Sequence, residues 1–351
     1  MGRVVRRTLV MVVGCAICAA AVAGATAARV SAAAPSTLYE VVDLTPANGD
    51  SPGFAQALGF TLGGTVVGAA SDSSGNLQAT VWSFGNALGI GTLGGSSSVA
   101  HDGDRHERIV GDSLSEGDTA FHAFLWRDGT MIDLGTLGGT SSWARGIDKH
   151  GTIVGGAERA DGSVRAFAWS DGTMSDLGTL GGSASWANAV GAHGTIVGNA
   201  SLPGDIASHA TAWRNGETHD LGTLGGTSSA ARNVSARGDV VGWSDRADGS
   251  VHATLWDGSR TVDLGTLGGT SSLANGINRS GQVVGVSTLA GDTLSKAFLW
   301  DGSRIVALDS LLAAGSSWSV IEAFAIDDRG RIAAEATFDG RVHAVLLIPL
   351  T

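Results

Sequence analysis

Apolar residues in this chain come in short runs, and the runs alternate with glycine-rich or charged turns. In Ala144-Arg-Gly-Ile-Asp148 and Thr152-Ile-Val-Gly-Gly-Ala157 the runs are strand-length, while Arg165-Ala-Phe-Ala-Trp169 is apolar almost throughout. Such runs predict β-strands, the last kind covered on both faces. Lys149-His150-Gly151 forms the tight turn between the first two, and Asp171-Gly172 leads from the third into a fourth, Met174 to Gly178. An Asp-Gly or Asn-Gly pair between apolar runs is a strong hairpin signal. It returns at Asp128-Gly129, Asn215-Gly216, Asp257-Gly258 and Asp301-Gly302. The unit is therefore an antiparallel meander of four strands, with no helical crossover.

The meander repeats. The run Asp133-Leu-Gly-Thr-Leu-Gly-Gly139 recurs at 176–182, 220–226 and 263–269, and in weaker form at 89–95. Measured from the alanine of the first strand, units start at Ala57, Ala100, Ala144, Ala187, Ala231, Ala274 and Ala323, in steps of 43, 44, 43, 44, 43 and 49. The one-residue alternation lies between second and third strands, where Gly155 to Ala166 is one residue shorter than Gly198 to Ala210. Sheets apolar on both faces must be covered by other sheets, and stacking them around an axis achieves this with only short edges. The predicted fold is all-β: a seven-bladed β-propeller of four-stranded antiparallel blades. The last unit stops after its third strand, His343 to Pro349, whereas Leu38 to Leu44 is a fourth-type strand with no unit before it. The N-terminal strand is thus expected to join the last blade and close the ring. A parallel β-solenoid is the competing architecture, but its shorter rungs leave the Asp-Gly hairpins unexplained.

Composition adds a location. Arg3, Arg6 and Arg7 precede an apolar stretch, Thr8 to Ala23, and then Ala25-Thr-Ala27, the pattern of a cleaved secretory leader. The expected divisions are 1–27 as signal peptide, 28–36 as spacer and 37–351 as one propeller domain, monomeric and secreted or extracellular, with cell-envelope association as a variant. Val12-Val-Gly-Cys15 loosely imitates a lipoprotein box, but apolar residues follow where a polar tether belongs. Both cysteines, Cys15 and Cys18, fall in the leader, so the remainder has no disulfide and no thiolate metal site. Losing three arginines and no acid takes the net charge from −11 to −14, which disfavours nucleic acid. No membrane span is expected after leader removal.

His122-Ala-Phe124, echoed at His209-Ala-Thr211, His252-Ala-Thr254 and His343-Ala-Val345, together with the Leu-Gly-Thr-Leu-Gly-Gly run, resembles the bacterial family of extracellular repeat proteins named for the tripeptide HAF. The resemblance covers nearly all of the chain after the leader. It implies export and a repeat fold, and brings no activity with it. Gln78, Arg165 and Lys296 depart from it at the histidine, Glu107 at a turn glycine, and Leu347 at a tryptophan.

The candidate chemistry is sparse. Trp82, Trp126, Trp169, Trp213, Trp256 and Trp300 follow the repeat and read as packing between blades. Trp143, Trp186 and Trp243 do not follow it, and are the candidate ligand-binding residues, expected at exposed strand ends where indoles stack on sugar rings. The recurring histidines read as structural hydrogen-bonding groups, and the Gly-rich runs as handover turns. Asp161-Gly162 and Asp248-Gly249 lack the alternating carboxylates of a calcium loop. Two denser clusters, His101 to Glu107 and Glu322 with Asp327-Asp-Arg329, offer paired carboxylates near the axis. No catalytic residue, metal site or cofactor emerges. The reading is an extracellular binding or scaffold module for an unknown ligand, glycan or protein, with a hydrolase or lyase acting on polysaccharide or peptide as the alternative.

Overall fold

The computed structural model describes residues 38–45, 47–48, 51–83 and 86–350. The expected leader, its cleavage site and both cysteines lie outside the described residues. Among those that are described, no helix is long and apolar enough to cross a membrane.

Nearly every described element is a strand, and apart from a two-residue pairing of Ala47–Asn48 with Ser51–Pro52 the strands assort into four-stranded antiparallel meanders. In chain order these are sheets I (55–89), II (94–133), III (138–176), IV (185–222), V (225–263) and VI (268–307); a single parallel pairing, Val251 with Ser271, joins V to VI. Sheet VII takes three strands from 319–349 and its fourth from the other end of the chain, Tyr39–Asp43. That strand runs antiparallel to Arg341–Pro349, with Tyr39 opposite Pro349, Val41 opposite Leu347 and Asp43 opposite Val345.

The hairpins follow two chemistries. Asp128, Asp171 and Asn215 and the glycines after them all have positive φ, between 50° and 85°, which is the two-residue turn whose twist suits a hairpin. Asp257-Gly258 and Asp301-Gly302 depart from this expectation. There a Ser-Arg pair lengthens the loop, and the aspartate Oδ1 instead accepts the backbone N–H groups two and three residues on.

The handover run also departs from a simple loop: its second half is already strand, so the first strand of sheet III is Gly138–Ile147 rather than starting at Ala144. Hydrogen bonds explain this. Thr136 Oγ1 donates to Gly139 O at 2.9 Å. Buried Ser142 Oγ accepts from Ala123 N at 2.9 Å and donates to Gly135 O at 2.6 Å, tying sheet III to the third strand of sheet II. Ser98, Ser185, Ser229 and Ser272 do the same for their neighbours. The alternation in loop length is absorbed here too. Asp118, Asp205 and Asp292 of the longer loops, and Glu158 and Asp245 of the shorter ones, accept backbone N–H groups from the same Ser/Thr segment.

The apolar core divides into clusters, each shared by two consecutive sheets. All seven alanines that mark the repeat are fully buried. Trp213 and Trp256 lie in these clusters, with Trp126, Trp169 and Trp300 packed against them, and Leu347 fills the corresponding space in sheet VII. A further cluster joins Ala55, Ala57, Val66 and Trp82 of sheet I to Ala333, Ala344 and Leu346 of sheet VII. Trp82 Nε1 donates to Leu44 O at 2.9 Å, and Arg331 reaches from sheet VII to Gly64 O at 2.6 Å. The first strand of each sheet touches that of the next, and that of VII touches that of I. These first strands are the inner strands of the assembly.

Candidate functional site on the inner strands

Each inner strand carries a register shift beside its buried alanine, so one residue is left out of the ladder. Bulges of this kind re-aim side chains. The residues at the shifts are Leu58, His101, Arg145, Asn188, Arg232, Asn275 and Phe324. The alanine before them never varies, whereas they comprise five residue types, with Arg and Asn each occurring twice and no two consecutive sheets sharing one. The position before the alanine is equally variable, with Gln56, Trp143, Trp186 and Glu322 among its occupants, and its cross-strand partners include Asp112, Gly156, Asn199, Trp243 and Glu335.

Contacts link these positions from sheet to sheet. His101 Nε2 lies 2.8 Å from Asp112 Oδ1 and 2.6 Å from Arg145 Nη1, which is also 3.1 Å from Nδ1 of the same ring. The Arg145 guanidinium stands 5.9 Å from the Trp186 ring centre, and Trp186 lies 5.3 Å from Trp143. Gly156 makes this possible: a methyl group there would sit 2.6 Å from Trp186 Cε3. Asn188 donates to Ala231 O at 2.7 Å, which places sheet V beside it. Arg232 Nη1 donates to Asn275 Oδ1 at 3.2 Å, and Asn275 Nδ2 donates to Glu322 Oε1 at 3.0 Å and Ala323 O at 2.9 Å. Gln56 Nε2 donates to Glu335 Oε1 at 2.8 Å. Every sheet contributes to this polar belt.

Burial shapes its charge. Desolvation, with the adjacent Arg145 cation, lowers the pKa of His101 and favours the neutral imidazole. For Asp112 burial works the other way, but the His101 contact and Arg145 outweigh it and hold the carboxyl below its usual range. Desolvation raises both Glu322 and Glu335, and the charge of Glu322 adds to the rise at Glu335. Next to the belt, Asp102 Oδ2 accepts the Ile147 N–H of sheet III at 3.0 Å, and burial pushes its pKa up to about 7.

Trp143 and Trp243 lie within strands, not at strand ends as expected: the inner strand of sheet III reaches from Gly138 to Ile147, and Trp243 is midway along the second strand of sheet V, Val240–Arg246, whereas Trp186 is the second residue of Ser185–Val190. Trp143 is only 9% exposed, and it and Trp186 are brought together; Trp243 opposes Ala230 and Ala253 in sheet V. The expected carboxylate clusters are redistributed. His101 and Glu322 enter the belt, whereas Asp104 and Asp327 tie their own turns through the N–H groups two and four residues on. Glu322 is paired across the sheet with Glu335, not with Asp327.

The recurring histidines form a separate set. His122, His209, His252 and His343 place Nδ1 at 2.7 to 2.9 Å from Asp133, Asp220, Asp263 and Asp43, the aspartate opening the handover run or its N-terminal counterpart. Where Lys296 replaces histidine, its longer side chain reaches Asp309 at 2.6 Å. Asp161 and Asp248 spend an oxygen on Ser163 and Ser250 in their own turns.

Sequence reasoning missed Arg145, Arg232, Asn275, Asp112 and Glu335. The available signal was variation inside the repeat: the residue after an invariant alanine changes from each unit to the next.

Stacked four-stranded meanders with touching inner strands define a β-propeller. Among solved structures, the β-propeller domain of the Trilobed protease from Pyrococcus furiosus is similar with a TM-score of 0.55 at 10% identity, over 84% of this chain and 95% of that one. TolB from Acinetobacter baumannii gives a TM-score of 0.43 at 13% identity over 81% of this chain, which spans 63% of that TolB chain. A gluconolactonase from Xanthomonas campestris gives 0.41 at 10%, over 89% of this chain and 90% of that one. At such identities the likeness speaks to fold alone. No family model matches the sequence, and no curated protein does.

Proposed function

We propose that this chain is an exported, seven-bladed β-propeller of the HAF-repeat kind whose inner belt binds a small ligand on the axis. The observation that carries the reading is the contrast within the repeat. Packing positions recur unchanged, yet the residue beside each buried alanine differs from sheet to sheet and meets its counterparts across sheet boundaries. A core has no need of an arginine, a histidine or an asparagine there, and a rigid scaffold displaying variable polar groups is the layout of a recognition site. Ring closure is supported by the shared cluster and hydrogen bonds between sheets I and VII and by the pairing of Tyr39–Asp43 with Arg341–Pro349. Export is supported by the leader pattern in residues 1–27.

Screening soluble glycans and small metabolites by tryptophan fluorescence, with Trp186→Ala as control, tests the site. Ligands that shift the wild-type signal should lose affinity in the variant; unchanged affinity would move the site elsewhere. Export is tested by expressing the full chain in a bacterium and sequencing the N-terminus of the extracytoplasmic protein, which should begin near Ala28.

A second reading, an extracellular hydrolase or lyase, draws on two features of the same belt. A half-buried imidazole touches both Asp112 and Arg145, and Glu322 and Glu335 favour protonation, as a general acid requires. Product formation from a retained ligand, abolished by Glu335→Gln, would select this reading over simple binding.

A further inference from the structure

In the inner belt one guanidinium stands over an indole, and the next sheet carries a second guanidinium at its own bulge. Arg145 of sheet III stands over Trp186 of sheet IV, and Arg232 occupies the corresponding bulge of sheet V, whose adjacent Ala231 carbonyl accepts from Asn188 of sheet IV. Their charges are poorly matched. Arg145 has Asp112 as its carboxylate neighbour, at 3.9 Å, while the shorter contact of that carboxylate goes to His101. Among the described residues Arg232 makes no ion pair within 4.0 Å; its hydrogen bond goes to the neutral oxygen of Asn275. An arginine carries five N–H donors in a planar fork, so most of the Arg232 capacity is unspent. Burial, with the repulsion from Arg145 opposing the pull of Glu322, lowers the pKa of Arg232, as expected where two cations share one poorly solvated region.

Resting on the axial-site reading, we infer that the ligand carries a carboxylate beside a flat ring face. The carboxylate is received by Arg232 and Arg145, and the ring by Trp186 with Trp143 at its edge. A carboxylate matches the guanidinium fork in a bidentate way and supplies the missing negative charge. An indole accepts the apolar face of a ring, saturated or aromatic. Uronic acids and aromatic carboxylates share this chemistry, and both belong in the test.

Calorimetric titration of the leaderless protein with D-glucuronate, D-glucose and benzoate separates the cases. Glucuronate should bind at least tenfold more tightly than glucose, and its affinity should fall as NaCl is raised while that for glucose does not. Arg232→Gln should remove the preference, and Arg232→Lys should restore part of it. Trp186→Ala should weaken every ligand that binds. Tighter binding of benzoate than of glucuronate assigns the ring as aromatic and keeps the anion site. Equal affinity for glucose and glucuronate, or glucuronate binding indifferent to salt and to Arg232→Gln, overturns the anion assignment. If Trp186→Ala still abolishes binding in that event, the axial reading survives without it. If none of the three ligands binds, the carboxylate-and-ring inference is wrong, and the broader ligand screen decides the axial reading. The salt titration uses the wild-type protein, so its outcome does not depend on a variant folding.

Discussion

Gly156→Ala is a sensitive probe of the inner belt. The added methyl carbon would lie 2.6, 2.7 and 2.8 Å from Cε3, Cζ3 and Cδ2 of Trp186. Carbon atoms pack best at about 3.5–4.0 Å, so the indole must retreat by about 1 Å. The retreat changes the 5.3 Å contact with Trp143 and the 5.9 Å contact with Arg145. Overpacking of this kind costs about 1–3 kcal/mol. Gly155→Ala is the counterpart one residue earlier. Its methyl would meet the Trp143 carbonyl oxygen at 1.9 Å, a backbone atom fixed by the pairing of Ala144 with Gly155. That clash has no side chain to absorb it, so the loss should be larger. Tryptophan fluorescence and urea unfolding on the two variants and the wild type measure both effects. The expected result is a folded Gly156→Ala protein with shifted emission and a modest loss of stability, and a Gly155→Ala protein at least twice as destabilised. If Gly156→Ala left emission and stability unaltered, Trp186 would not lie against sheet III, and the belt would have to be redrawn.

Other perturbations address the frame around it. Ser229→Ala leaves the buried Ala210 N–H and Gly222 carbonyl without their partner, at a cost of about 1–3 kcal/mol in urea unfolding, whereas exposed Ser259→Ala should change stability by less than about 0.5 kcal/mol. Starting the chain at Thr45 removes buried Tyr39 and Leu44 and uncovers one edge of Arg341–Pro349, so about 3–6 kcal/mol should be lost and the melting point should drop steeply; an unchanged melting curve would rule out a structural role for that pairing. For Asp102 the folded pKa, about 7, lies above the unfolded value of 3.8, so its favourable contribution is complete below pH 3.8 and fades as pH rises towards 7. Asp102→Asn should therefore gain on the wild type by about 2 kcal/mol between pH 4 and pH 7.5, allowing for partial solvent access, and a constant difference across that range would contradict the assignment.

Strand type, hairpin positions and the repeat were legible because they depend on neighbours in sequence. Alternation, Asp-Gly pairs and the run from Asp133 to Gly139 act within a few residues, and each copy repeats the message. The missing fourth strand after Pro349 and the spare one before Leu44 were legible by counting, since a meander short of a strand has to find it elsewhere. Two local details escaped for local reasons. Ser-Arg after Asp257-Gly258 opens the turn, and the handover serines pull their glycines into the next strand through bonds to the preceding sheet.

The site was a different matter. Trp143 and Trp186 stood out by breaking the repeat, but their proximity follows from packing of consecutive sheets across an interval of 43 residues, not from any spacing within a unit. Arg145 and Arg232 looked like ordinary strand arginines, which usually face water. Only the tertiary structure places them at inner bulges, where His101 lies 44 residues from its partner Arg145 and Gln56 meets Glu335 across 279. Sequence by itself determined what each sheet would be, because hydrogen-bond ladders and turns are local. The stacking of those sheets decided which unlike side chains would share one desolvated space, because that proximity exists only once the apolar faces between sheets are buried.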